Sequence, residues 1–312
     1  MVLREPLIFY GVMTMKIIRT IVILSFVLLF MTSCTTKNEI NKTVNKDMNY
    51  EIATTEVNER TLRYLKFGKG ERTLVILPGL SVYYVTDSAQ SVVSKFETFT
   101  EDFTIYLFDV PDEIPDDYTM DKMISDMKCA IGNFQLYDIY LYGTSMGGME
   151  AIGLAGKYPD LVSGLVVCSS ASKNNETSTE ILDNWIILAE ENDGTGLLKD
   201  MSEHIYSETT QKTYGDSLYA GGENLSQETL LRFARITKAL VKANVSDEAK
   251  NIRCPVLLTG SKGDNVFGYE ETIKLAELMN CSYYLYDSTY GHAVYDEADD
   301  YLDSVYDFIT KN

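Results

Sequence analysis

The chemistry of this chain is concentrated in three short segments that lie far apart in the sequence. The first is Gly143-Thr144-Ser145-Met146-Gly147, preceded by the apolar, aromatic run Ile139-Tyr140-Leu141-Tyr142 and followed by a helical pattern. A serine set in G-x-S-x-G between a strand and a helix has the sequence form of a nucleophile elbow. Such a turn is sharp and strains the serine backbone. Side chains two residues before or after it would strike the neighbouring strand or helix, and Gly143 and Gly147 have none. Gly148 leaves room for the helix to start close to the sheet. The helix N-terminus then points at the place where negative charge would develop.

A serine is a poor nucleophile until a base takes its proton, and the base must be oriented by a third group. The chain has two histidines. His292 stands in Tyr290-Gly291-His292-Ala293, past the last predicted strand and before the last predicted helix. That places it on the carboxyl edge of a sheet, where sites of open α/β sheets gather. His204 lies among polar residues in a segment that interrupts the strand pattern, and reads as a solvent or lid residue. The orienting acid is expected at Asp264, in Gly260-Ser261-Lys262-Gly263-Asp264-Asn265 after the apolar run 256–259. The order Ser, Asp, His is that of folds built around such an elbow. Asp287 and Asp109 are the fallback acids, and Asp109 is better suited to ordering loops near the site. A tetrahedral oxyanion needs two fixed backbone donors. These are expected from Met146, directly after the serine, and from Leu80 in the turn Pro78-Gly79-Leu80-Ser81.

These residues need strands to present them. Segments 50–57 and 60–67 read as two strands joined at Asn58-Glu59. Leu74-Val75-Ile76-Leu77, 105–108, 138–142, Leu165-Val166-Val167-Cys168, 256–259 and 282–286 are short and mostly apolar, as expected of strands buried on both faces. Helical spacing appears at 120–134, from the elbow to about Tyr158, near 270–279 and through the last segment. There Ala298, Tyr301, Leu302, Val305, Phe308 and Ile309 form one stripe, and Asp296, Asp299, Asp300, Asp303 and Asp307 form the solvated side. Alternating strands and helices predict a mostly parallel sheet with helices on both faces. The alternation breaks between about Ser172 and Lys250, where 181–190 and 229–242 have helical periodicity.

Composition narrows the function. The chain has 312 residues, 45% of them hydrophobic, and a formal charge of −19. A packed core is within reach, and so acidic a surface excludes nucleic acid as a partner. No cysteine or histidine spacing suggests a metal. Cys254 and Cys281 both open predicted strands and could pair, or could be buried free thiols. No cofactor is called for.

The whole set resembles the α/β-hydrolase superfamily from about Tyr50 to the end. The matching pieces are the Pro-Gly-Leu turn, Gly-Thr-Ser-Met-Gly-Gly, Gly-Ser-Lys-Gly-Asp and Gly-His, in that order. The resemblance implies an α/β-hydrolase fold, with a mostly parallel eight-stranded sheet and a helical cap inserted at about residues 172–250. It implies a serine hydrolase acting on a small acyl substrate, an ester before an amide or peptide N-terminus. Trp185 and the tyrosines of the cap, Tyr206, Tyr214 and Tyr219, are candidate pocket lining or cap core. The chain departs from many capped members in lacking a His before Pro78-Gly79 and an Arg-x-Gly-x-Gly after Asp109. Acyl transfer to an alcohol and a non-catalytic binding protein are the rival readings.

The N-terminus carries an address. Lys16 and Arg19 precede the apolar run 21–30, and Met31-Thr32-Ser33-Cys34 follows. These are the parts of a secretory signal. The cysteine after small residues resembles a bacterial lipobox, which implies cleavage before Cys34 and lipid attachment to it. Residues 1–33 are then a signal peptide, with 1–14 a possible upstream extension before Met15. Residues 34–49 form a lipidated tether and 50–312 the catalytic domain. The expected location is the bacterial cell envelope, outside the cytoplasm. The apolar run is short for a span of about 20 residues.

Overall fold

A computed structural model describes residues 43–45 and 49–312. The signal segment expected at residues 1–33, and the expected lipidation site Cys34, lie outside the described residues. Among the described residues, no helix is long and apolar enough to cross a membrane.

The chain begins with a short edge strand β1 (Thr43–Asn45), then β2 (Tyr50–Val57), β3 (Arg60–Gly68) and β4 (Arg72–Leu77). Helix α1 (Ala89–Lys95) leads to β5 (Phe103–Phe108), and α2 (Met120–Asn133) to β6 (Ile139–Thr144). Helix α3 (Met146–Lys157) and β7 (Val162–Cys168) follow. An all-helical insert comes next: α4 (Glu176–Glu190), α5 (Gly194–Ile205), α6 (Glu208–Tyr214), α7 (Gln227–Val241) and α8 (Ser246–Ala249). The chain closes with β8 (Val256–Ser261), α9 (Tyr269–Met279), β9 (Tyr283–Tyr286), α10 (Val294–Glu297) and α11 (Tyr301–Lys311).

The sheet order is β1-β2-β3-β5-β4-β6-β7-β8-β9. Pairs from β1 to β3, and β3 with β5, are antiparallel. All pairs from β5 to β9 are parallel. This is the eight-stranded, mostly parallel sheet of the α/β-hydrolase fold, extended at one edge by β1. That strand arises inside the segment expected to be a tether, because the free edge of β2 offers it backbone partners.

The central strands are apolar throughout because both faces are covered. Val75, Leu77, Leu141, Leu165 and Val167 face one core with Met123, Ile124, Met127 and Ile152. The intervening Leu74, Ile76, Tyr140, Tyr142, Val166 and Cys168 face the other, against Val92, Phe96, Tyr301, Val305 and Ile309. The period of two along each strand thus sorts side chains into two layers.

Topology selects where a site can form. The chain leaves β4 toward β5, returns across β4 to β6, and then proceeds in the opposite direction to β9. The loops after β4 and β6 therefore diverge and open a crevice at the carboxyl ends of the strands. Leu77 is level with Gly143, and Thr144 with Cys168, so these strand ends lie side by side.

One buried carboxyl group stands out away from that edge. Glu150 on α3 is buried, and its Oε1 has no hydrogen-bond partner. Burial, assisted by the nearby Asp126 carboxylate, raises its pKa to about 8. Asp126 itself is satisfied by Arg60, Asn58 and Tyr118. An unfolded chain ionises Glu150 near 4.5, its ordinary value. Folded stability should therefore fall as pH rises from about 4.5 to about 8, because the unfolded state releases this proton first. Glu150→Gln should remove that slope. Chemical denaturation at about pH 6 and about pH 9 checks it: the variant should gain about 1–3 kcal/mol over the wild type at the higher pH. An unchanged difference between the two pH values would show that Glu150 is not held neutral.

Candidate active site

Ser145 sits between β6 and α3 with φ 53° and ψ −121°. A non-glycine residue there is strained by about 1–3 kcal/mol, and its surroundings must enforce it. They do so from several sides. The Ser145 N–H donates to the Cys168 carbonyl at 3.0 Å, and its own carbonyl accepts from Gly148 N–H and from Ser170 Oγ. A Cβ on Gly143 would lie 2.3 Å from the Gly147 carbonyl oxygen, and one on Gly147 would lie 2.0 Å from the Leu77 oxygen. The two glycines are needed because helix and neighbouring strand approach to backbone contact. A Cβ on Gly148 would meet Ser170 at 2.6 Å, so this glycine too lets α3 start close to the β7 exit.

The turn after β4 lies beside the serine. A Cβ on Gly79 would come within 3.2 Å of Ser145 Cβ. Leu80 lines the same cavity as Ser145. Met146 is the first residue of α3, so its N–H has no carbonyl one turn back within the helix. Asp109, at the end of β5, is buried and accepts the N–H groups of Val85 and Thr86 and the Thr86 hydroxyl. It fixes the continuation of the Leu80 turn, which is the loop-ordering role expected of it.

His292 and Asp264 form a buried pair. Nδ1 of His292 is 2.9 Å from Asp264 Oδ2, and both side chains are 2% exposed. The other carboxylate oxygen accepts the N–H groups of Val266 and Phe267 at 2.8 and 3.0 Å. Burial pushes the Asp264 carboxyl up. The His292 charge, the imidazole hydrogen bond and the two backbone donors outweigh it and hold Asp264 below the usual carboxylate range. An ionised Asp264 keeps the proton on Nδ1 and leaves Nε2 as the basic atom. Ser261 Oγ ties the end of β8 to the carbonyls of Asp287 and Tyr290, so the two loops that carry the pair are joined.

Ser145, His292, Gly79 and Leu80 line one cavity. The remaining lining is apolar or aromatic: Leu182, Trp185, Ile205 and Leu240 from the insert, Val266 and Phe267 after β8, and Tyr295. A water-sized sphere has about 20 Å³ of room inside it. Trp185 is held by its indole N–H, which donates to Asp200 Oδ2 at 2.7 Å.

The structure therefore gathers Ser145, Asp264, His292 and Leu80 from four strand ends. It leaves out the alternatives. Asp287 is a turn residue that accepts from Thr289. His204 contacts the Asp200 carbonyl at 2.9 Å and is not among the cavity residues. Of the aromatic residues expected from the insert, Trp185 reaches the cavity, whereas Tyr206, Tyr214 and Tyr219 are absent from its lining. Val266 and Phe267 after β8, and Tyr295 in α10, carry no sequence signal of their role, since ordinary apolar and aromatic residues occur throughout the chain. Cys254 and Cys281 are free thiols, as are Cys129 and Cys168.

Comparison with known proteins agrees with this architecture. Residues 74–299 match the family model described as the alpha/beta hydrolase fold. The chain belongs to that family and, by that membership, to the hydrolytic enzymes. A putative carbamate hydrolase, RutD, of Rhizobium rhizogenes is 23% identical over 234 residues, covering 72% of this chain and 86% of that protein. Among solved structures, MGS-M2, an alpha/beta hydrolase enzyme from a Medee basin deep-sea metagenome library, has a TM-score of 0.73 at 22% identity. That match covers 81% of this chain and 95% of the other. The enol-lactonase of Burkholderia xenovorans LB400 has a TM-score of 0.70 at 17% identity, covering 83% and 100%.

Proposed function

We propose that this protein is a serine hydrolase that cleaves a small carboxylic ester through an acyl-enzyme. One observation carries the reading: a serine on a strained strand-to-helix turn shares a cavity with a buried histidine whose other nitrogen is held by a carboxylate. Ser145 Oγ attacks the acyl carbonyl carbon as His292 Nε2 takes its proton. Asp264 keeps the imidazole in the productive tautomer and stabilises the imidazolium. The N–H groups of Leu80 and Met146 receive the developing oxyanion. Collapse breaks the C–O bond to the leaving alcohol, which takes the proton back from His292. Water, deprotonated by the same histidine, then releases the acid and restores Ser145.

The lining supports an uncharged acyl group. A charged one would lose its hydration among Leu182, Leu240, Val266 and Phe267 without gaining a partner. The small volume supports a short one. The putative carbamate hydrolase is named for a carbamate and the enol-lactonase for a cyclic ester, and the chemistry of this site is compatible with any acyl carbonyl that fits.

We also propose that the enzyme works outside the cytoplasm, held by lipid on Cys34. The support is the sequence of residues 16–34. Expressed in a bacterial host with its full leader, the protein should partition with membranes and Cys34→Ala should abolish lipid labelling. Equal labelling of both would remove the anchor from this reading.

The catalytic residues have a direct test. A fluorophosphonate probe should label the wild type and leave Ser145→Ala unlabelled, and His292→Ala should lose about 10³-fold or more in kcat. A near-normal rate for His292→Ala would mean that another group is the base. With p-nitrophenyl esters of rising chain length, acetyl should be preferred, and Trp185→Ala should move the preference to longer acyl chains. A wild type that prefers long chains would show that the cavity is not the acyl pocket.

A further inference from the structure

We infer that Glu297 is a positioning residue through which the helical insert holds the loop of His292; this rests on the reading of His292 as the catalytic base. Glu297 closes the single turn α10, five residues after the histidine. Its Oε2 accepts the Gly291 N–H at 2.6 Å. Its Oε1 accepts the Ser207 N–H at 2.8 Å and the Thr210 hydroxyl at 2.6 Å. One carboxylate thus ties the residue before the histidine to the start of α6 in the insert. Hydrogen bonds to an ionised acceptor are roughly twice as strong as neutral ones.

The residue after the histidine is held from the same side. Ala293 N–H donates to the Ile205 carbonyl at 2.9 Å. Gly291 is pressed against the same segment: a Cβ there would lie 2.7 Å from Ile205 O, Ser207 N and Tyr206 C. Both backbone neighbours of His292 therefore depend on residues 205–207 of the insert, while its Nδ1 depends on Asp264 after β8. Two anchors, one on the ring and one on the backbone, set the direction of Nε2. Ile205 also lines the cavity, so the segment that meets substrate is the segment that holds the base. A base displaced by about 1 Å can cost about 100-fold in rate, so the anchor has catalytic weight without touching substrate.

Kinetics of the full chain on p-nitrophenyl acetate test this, with Ser145→Ala, Glu297→Ala, Glu297→Gln and Thr210→Val measured together. Glu297→Ala should lower kcat by about 10–100-fold with KM within about threefold, and slow fluorophosphonate labelling of Ser145 to a similar degree. Glu297→Gln, which retains one acceptor oxygen, should recover part of the loss. Thr210→Val, which removes the hydroxyl bond to Glu297 and a 3.3 Å contact from Ser207 Oγ but leaves the Ser207 N–H bond to Glu297, should show a smaller fall in the same direction. If Glu297→Ala does not fold, the Gln and Val variants decide. Wild-type kcat in the folded variants, with only a lower melting temperature, overturns the positioning role. Wild-type hydrolysis by Ser145→Ala overturns the serine-hydrolase reading itself, and the proposal with it.

Discussion

The structure depends on the close approach of β4, β6 and α3 around Ser145. The serine occupies a backbone conformation that its side chain disfavours, and it stays there because its amide and carbonyl are both engaged and the glycines beside it admit backbone contact. Sheet topology supplies the rest. With β4 beside β6 and the chain reversing direction between them, the Gly79–Leu80 turn falls next to the serine. Asp264 follows β8 and His292 follows β9, two strand ends further along the same edge. Shift the register of β6 by one residue and the serine, the turn beside it and the cavity would no longer coincide.

The insert is more than a cover. Asn175 caps α4 through Ser178 and donates its side-chain amide to the Phe267 carbonyl, so the insert is fastened to the Asp264 loop where it begins. Arg232 on α7 donates to the carbonyls of Val110 and Pro111 and stacks on Tyr84, whose ring also carries Arg63. With the contacts at 205–210, the helical segment is tied to the loops after β4, β5, β8 and β9. The cavity thus takes Leu182, Trp185, Ile205 and Leu240 from the insert, and Ser145 and His292 from the ends of sheet strands.

Much of this was legible in the sequence, for identifiable reasons. Runs such as Leu74–Leu77 are apolar on every residue because both faces are buried, and they marked the strands. Ser145, Asp264 and His292 each stand near glycines at strand ends, and their order along the chain matched the fold. Other features left no such mark. Helix α6 buries no residue, so it has no apolar stripe to read. Strand β1 forms only because β2 offers a free edge. The pocket walls at Val266, Phe267 and Tyr295 are tertiary facts about ordinary apolar residues. Glu297 sits in an acidic stretch whose pattern suggests a solvated face, and its role appears only when residues 205–210 fold over it.

The central claim is that Ser145 carries the acyl group in mid-reaction. Acid quenching within the first turnover of p-nitrophenyl acetate, followed by peptide mass spectrometry, measures this directly. One acetyl group should appear on the peptide containing Ser145, and it should persist longer in Asp264→Asn, where deacylation is slowed. Hydrolysis in the same quench with no acetyl on Ser145, or with acetyl on another residue, would contradict it.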